Sequence, residues 1–175
     1  MRLFIAIPFS EEFRGELIRV QKEMRQNGVE GNFSRAANLH LTVAFIGEVK
    51  DPAPALKALQ SVSLPELTLR SGRLGNFGEI LWVGLQKNPA LEQYVSDVRS
   101  ALDAAGVPYD KKKFRPHITL VRRAWWPGGL QVADLAEAAR VSMNVEKVCL
   151  MKSERLNGKL TYTAVGEVHC PEDNT

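Results

Sequence analysis

Histidine is scarce in this 175-residue chain, with three in all, and cysteine is scarcer still, with two. Cys149 and Cys170 have neither the spacing of a metal site nor the number that a disulfide-built secreted scaffold needs, so a reducing cytoplasm is the expected compartment. No apolar run approaches the length of a membrane span, which argues against a membrane-embedded role. The short apolar opening Leu3–Phe9 lacks a signal-peptide build and is expected to form a first strand. No stretch is rich enough in glycine, serine or proline to part independent domains, so residues 1–175 are expected to fold as a single domain of two intertwined lobes. A strong excess of one charge is also missing. The net charge of +3 tolerates an anionic ligand without demonstrating one. Hydrophobic residues make up 45%, enough to bury a core, which excludes global disorder.

Two of the three histidines stand in matching frames. Leu39-His40-Leu41-Thr42-Val43-Ala44-Phe45 and Pro116-His117-Ile118-Thr119-Leu120-Val121 each set a histidine and a threonine two residues apart in an apolar, β-branched run. Side chains alternate faces along a strand, so His40 and Thr42 point one way, as do His117 and Thr119. Two such strands facing each other offer two imidazoles and two hydroxyls to one ligand. Imidazole titrates nearest neutrality, so the pair suits combined acid and base work. A single His-x-Thr is an ordinary strand fragment; the duplicate makes it a site. His169 has no such threonine and is expected to be structural.

The remaining pattern predicts an α+β protein. Ser10 caps a helix carrying Phe13, Leu17, Val20 and Met24, which Gly28 ends. Strand Leu39–Ile46 is expected to turn Leu39, Leu41, Val43 and Phe45 to the core and His40, Thr42, Ala44 and Ile46 to an open face. A short helix is expected at Pro52–Ser61, after the Asp51-Pro52 start. Strands come next at Glu66–Leu74 and Ile80–Gln86, with Gly75–Glu79 as the turn. Asn88-Pro89 starts a second amphipathic helix through Leu91, Tyr94, Val95, Val98 and Leu102, closed by Gly106. The second motif strand spans Pro116–Arg122, the segment from Trp125 to Gly129 is a loop, and Val132–Arg140 is a helix. Ser142–Met151 and Leu160–Val168 close the chain as a strand pair around Asn157-Gly158. The two motif-bearing halves suggest two antiparallel sheets related by a pseudo-twofold axis around a central cleft, with helices on the outer faces.

The segments Asn38–Val49 and Phe114–Leu120 resemble the paired signatures of the 2H phosphoesterase superfamily. Within it the chain is most similar to the RNA 2′,3′-cyclic phosphodiesterases, historically called 2′-5′ RNA ligases. Arg2–Ile7, Leu150–Ser153 and Tyr162-Thr163 also match that family's habit. The resemblance implies a bilobal fold with a cleft between two antiparallel sheets, and neither metal nor other cofactor. It implies hydrolysis of 2′,3′-cyclic phosphate ends of RNA to 2′-phosphates, with reverse 2′-5′ ligation as a companion activity. His40 then matches the proton donor to the leaving 3′-oxygen and His117 the acceptor of a proton from water, while Thr42 and Thr119 hold phosphoryl oxygens. The implied partner is RNA with a 2′,3′-cyclic phosphate end, tRNA fragments and nucleotides included, met by a monomer away from membranes.

Other candidates come from position. Arg122 follows the second motif and suits phosphate, yet strand parity puts it opposite His117 and Thr119 unless a bulge turns it inward. Arg35 precedes the first motif as a second phosphate-binding candidate. Phe4, which shares a face with Ala6, is a base-stacking candidate with core packing as the favoured rival, and the loop pair Trp125 and Trp126 are base-stacking candidates with a hydrophobic anchor for the loop as the rival. Lys111-Lys112-Lys113 reads as a solvated turn, with RNA backbone binding as the lesser alternative. The rival functions are a 2H phosphodiesterase acting on a small cyclic nucleotide, ADP-ribose cyclic phosphate or a 2′-5′ oligonucleotide, and a non-catalytic RNA-end binding protein. A zinc protein fails for want of a third ligand near His40 and His117.

Overall fold

The computed structural model describes residues 1–171; residues 172–175, included in the single-domain expectation, lie outside them. The elements in chain order are β1 (Arg2–Pro8), α1 (Glu11–Gln26), β2 (Glu30–Phe33), β3 (His40–Glu48), α2 (Ala53–Gln60), β4 (Thr68–Phe77), β5 (Ile80–Leu85), α3 (Pro89–Ala104), β6 (His117–Trp125), β7 (Ser142–Asn144), β8 (Lys147–Leu156) and β9 (Lys159–His169). The strands form two antiparallel sheets, ordered β3-β1-β8-β9 and β2-β6-β5-β4-β7. The architecture is the expected α+β one. No helix among the described residues is long and apolar enough to cross a membrane.

Each motif strand is preceded by the same local design. β1 runs into α1 and, past the short β2, into β3; β5 runs into α3 and then β6. Both helices have 16 residues and a side-chain cap: Ser10 Oγ accepts from Phe13 N at 3.2 Å, and Asn88 Oδ1 from Leu91 N at 3.1 Å. Gly28 and Gly106, both at positive φ, follow their ends. In both sheets the motif strand pairs with the strand that precedes its helix, so β3-β1-β8-β9 corresponds to β6-β5-β4-β7, and β2 is an addition beyond β6. The helices cross over: α1 lies against β6 of the five-stranded sheet, and α3 against β3 of the four-stranded one. Phe13, Leu17, Val20 and Met24 of α1 and Leu91, Val95, Val98 and Leu102 of α3 join one buried cluster with the inner faces of both sheets.

Three local expectations are corrected. Val132–Arg140 is not a helix but one 3₁₀ turn, Val132–Asp134, followed by irregular chain. Its apolar residues Leu135, Ala136 and Ala139 are buried, and beyond the 3₁₀ turn its backbone bonds outward. Leu135 O accepts from Asn27 Nδ2 (3.1 Å), Glu137 N donates to Glu23 Oε1 (2.9 Å), and Ala139 O accepts from Ser71 Oγ (2.6 Å). Ser142–Met151 is not one strand: the chain leaves β7, on the edge of the larger sheet, and enters β8 in the other, with Val145 N held by Leu67 O at 2.8 Å. The turn at Gly75–Glu79 narrows to Gly78-Glu79, since β4 extends to Phe77. β2 went unread because Glu30-Gly31-Asn32-Phe33 has no alternation and is largely exposed.

Ser71 is the buried polar residue on which the irregular segment hangs. It is 6% exposed, donates to Ala139 O and accepts from Val141 N at 2.9 Å. Ser71→Ala leaves both backbone groups unpaired, so urea denaturation should show a stability loss of about 1–3 kcal/mol. A midpoint and slope equal to wild type would refute that anchoring role.

Candidate active site

Each motif strand departs from regular alternation at the residue after its threonine. On β3, Ile5 pairs with Ala44 and Ala6 with Thr42, leaving Val43 without an opposite number. On β6, Leu81 pairs with Val121 and Trp82 with Thr119, leaving Leu120 likewise. These are β-bulges, one extra residue against the neighbouring strand, and each flips the parity of the residues beyond it. Val43 and Ala44 are consecutively buried, as are Leu120 and Val121. The expected faces of β3 are therefore corrected beyond Thr42: Ala44 and Ile46 enter the core, and Phe45 joins His40 and Thr42. The same shift corrects the parity objection to Arg122, which falls on the face of His117 and Thr119.

A cavity of about 530 Å³ opens on this face, with His40, Thr42, Phe4, Phe45 and Tyr162 in its wall. Arg122 enters it from the other sheet, where β6 approaches β3. His117 and Thr119 lie on the same face of β6 as Arg122 but outside this wall. Arg2, Arg155, Glu48 and Glu154 complete the rim. The N-terminal ammonium engages Glu48 and Lys152 engages Glu154, both at 3.2 Å, whereas among the described residues Arg2 and Arg122 enter no ion pair. Arg155 is likewise outside those pairs, and three guanidiniums without ion pairs along one cavity favour an anionic ligand.

The two imidazoles are anchored alike. His40 Nδ1 donates to Asn38 O at 2.7 Å, and His117 Nδ1 donates to Arg115 O at 2.6 Å. A carbonyl can only accept, so each neutral ring keeps its proton on Nδ1 and offers a bare Nε2. His40 Nε2 then accepts from Thr42 Oγ1 at 2.9 Å. Burial holds the His40 pKa below the usual histidine value, opposed by the Asn38 carbonyl, and the Arg122 charge adds to the lowering. The free protein thus favours a neutral His40, and a bound anion beside Arg122 would offset that cation's share of the lowering.

Aromatic rings pack both histidines. Phe4 and Tyr162 stand 4.9 and 5.3 Å from His40, centroid to centroid, and Phe4 is a buried wall of the site. Phe77 and Trp82 stand 5.1 and 6.2 Å from His117. Sequence reading missed this second pair, since Phe77 fell in the expected turn. Trp82 lies over Gly75, where a Cβ would collide with the indole ring. Only glycine fits there.

The other candidates are dispersed. Arg35 is exposed and reaches Leu160 O at 3.4 Å, on the edge of the cavity. Trp125 ends β6 instead of lying in a loop and is 58% exposed, Trp126 packs on the core, and neither lines the cavity. Lys111 pairs with Asp103, and His169 sits beside Glu167 at 3.4 Å. Among the described residues no three His, Cys, Asp or Glu side chains cluster as a metal site would require.

The family model for the 2′-5′ RNA ligase superfamily matches residues 11–157. An RNA 2′,3′-cyclic phosphodiesterase of Escherichia coli is 34% identical over 129 residues, 70% of this chain and 72% of that protein. One from Geobacillus stearothermophilus is 30% identical over 134 residues, 71% of this chain, and the match spans 42% of the relative's length. Among solved structures, Escherichia coli LigT in apo form aligns over 98% of both chains with a TM-score of 0.82 and 26% identity. LigT complexed with 3′-AMP aligns over 98% of both chains at 0.78 and 28%. The chain belongs to the 2′-5′ RNA ligase superfamily, the 2H phosphoesterases.

Arg122→Met tests the electrostatics directly. Removing the cation relieves one of the two causes that lower the His40 pKa, so its imidazole should hold a proton to higher pH. Histidine NMR titration checks this, and an unmoved or lowered His40 curve would rule the coupling out.

Proposed function

We propose that the protein hydrolyses 2′,3′-cyclic phosphate ends of RNA, breaking the 3′-oxygen–phosphorus bond and leaving a 2′-phosphate. The carrying observation is the bulge that sets Arg122 on the His-x-Thr face of β6 and into the cavity of His40 and Thr42. The relatives' names supply the substrate class. Ligation belongs to this proposal as the same ring opening with a 5′-hydroxyl in place of water: the 3′-oxygen–phosphorus bond breaks and a 2′-5′ phosphodiester is left.

Cyclic phosphodiester opening needs in-line attack, proton transfer at both ends and stabilisation of growing charge. In this reading water attacks phosphorus while His117 Nε2 takes its proton. His40, protonated once the anion is bound, delivers a proton from Nε2 to the departing 3′-oxygen. The Thr42 and Thr119 hydroxyls and the Arg122 guanidinium take up charge on the non-bridging oxygens. Each imidazole contributes on the order of 10²–10⁴-fold as acid or base. Phe77, 40% exposed beside His117, offers a base a stacking face that the buried Phe4 cannot.

The lowered pKa of His40 favours one competing version, in which His40 is the base and His117 the acid. The RNA would then sit reversed and the product would carry a 3′-phosphate.

A short RNA ending in 2′,3′-cyclic phosphate, with the product identified by phosphorus NMR, tests the proposal. His40→Ala and His117→Ala should each reduce kcat by roughly 10²–10⁴-fold while folding normally. Thr42→Ala and Thr119→Ala should lose less, with about 3–4 kcal/mol as the ceiling for one donor. Near wild-type turnover by either histidine variant, or a binding protein without turnover, overturns the assignment. The pH profile should be a bell whose limbs belong to the pair of imidazoles. If His40 is the acid, its low pKa sets the alkaline limb of kcat/KM, and Arg122→Met moves that limb to higher pH. Movement of the acid limb instead, with a 3′-phosphate product, would exchange the two roles.

A further inference from the structure

We propose that Gln21 and Arg99 are a crossed pair of positioning residues, each holding from its helix the bulged motif strand of the opposite sheet. The inference rests on the cyclic phosphodiesterase reading above. Counting from Glu11 and from Pro89, each is the eleventh residue of its 16-residue helix. Gln21 on α1 donates from Nε2 to Leu120 O at 3.0 Å and to Ser34 O at 2.9 Å. Arg99 on α3 donates from Nη2 and Nε to Val43 O at 3.2 and 3.4 Å, and from Nη1 to Lys112 O at 2.8 Å. Leu120 and Val43 are the bulge residues that directly follow the motif threonines. Corresponding side chains of corresponding helices thus grip corresponding carbonyls across the molecule.

The grip bears on the reacting groups through the backbone. Leu120 joins Thr119 to the Val121-Arg122 step, and Val43 joins Thr42 to the Ala44-Phe45 step. A bulge costs ladder bonding and is bent by its surroundings. Whatever holds its carbonyl therefore sets the angle between the threonine before it and the cleft-facing residue two positions beyond it. On β6 a second link reinforces the first: Ser34 N donates to Leu120 O at 2.9 Å and Ser34 Oγ to Thr119 O at 3.0 Å. Gln21 ties Ser34 and Leu120 together, and at 4% exposure it is one of two buried polar side chains among the described residues. On β3, an edge strand, Arg99 also packs near the rings of Tyr109 and Phe114, at 5.8 and 5.9 Å. The two sides use different donors because the β6 site is sealed and the Arg99 site borders an open groove that also exposes Lys113 and Glu92.

The test compares Gln21→Met, Ser34→Ala, Arg99→Met and Arg99→Lys with wild type, all well below their melting temperatures. It reads kcat and KM on cyclic-phosphate RNA and, separately, Kd for inorganic phosphate. Displacement of Thr119 and Arg122 in Gln21→Met should lower kcat by about 10²-fold with a smaller change in KM. Phosphate affinity should fall by about tenfold, the effect of one charge-assisted hydrogen bond misplaced. Ser34→Ala, which leaves the helix untouched, should show the same pattern in weaker form and stands in if Gln21→Met does not fold. Arg99→Lys keeps a donor and should recover much of what Arg99→Met loses. Unchanged kcat and phosphate affinity with only a lower Tm would overturn the proposal. A wild-type protein that binds phosphate but turns over no cyclic-phosphate RNA would instead strike the proposed function, with the positioning role then judged on phosphate affinity alone.

Discussion

The extra residue after each threonine is the constraint on which the site depends. A regular strand through His40, Thr42 and Ala44 would bury Phe45, and one through His117, Thr119 and Val121 would bury Arg122. With Val43 and Leu120 pushed out of register, the two apolar residues after each threonine still reach the core while the third arrives on the cleft face. The hydrophobic interior accepts this because Val43, Ala44, Leu120 and Val121 are all apolar, so a one-residue shift exposes none of them. Burial of the back of the strand and convergence of chemistry on its front are thereby satisfied together. On β6 the irregularity continues. Arg123 adopts a positive φ, and Gly31 of β2 passes so close that a Cβ there would meet Arg122 O and Arg123 O at 2.9 Å. Gly31 itself lies at positive φ, which only glycine adopts without strain.

One backbone design is used twice with different side chains, and the difference gives the cavity a direction. Position for position, Phe45 on β3 answers to Arg122 on β6. His40 is closed in by Phe4 and Tyr162, while His117 stands beside Trp82 and the exposed Phe77. The cation of one half therefore acts on the imidazole of the other, adding to the burial that lowers the His40 pKa. The two rings are fixed alike through Nδ1 but stand in different surroundings, which gives the site a basis for unlike roles.

The crossing of α1 and α3 interlocks the two halves. Each helix belongs in sequence to one sheet and in space to the other, so its apolar stripe closes the opposite half's core. A lobe cut from the chain would lose the helix that covers its motif strand. The symmetry also rationalises β2, which covers the flank of β6 that β3 leaves open as the outer strand of its own sheet.

The sequence alone determined the motif frames, the two capped helices with their apolar stripes and the pairing of strand with helix in each half. These depend on spacing within a few residues, where periodicity and capping chemistry act directly. The alternation of His40 with Thr42 and of His117 with Thr119 was legible for the same reason. Tertiary structure decided what came after those residues. A bulge has no local signature in Val43-Ala44 or Leu120-Val121, because apolar neighbours fit either register, and the partner strand makes the choice. It likewise decided that Val132–Arg140 is held by Ser71, Asn27 and Glu23 instead of by its own turns, and that Phe77 reaches His117 from a strand end read as a turn. Arg122 was visible as a residue, but its place in the site came from the long-range contacts that bend β6.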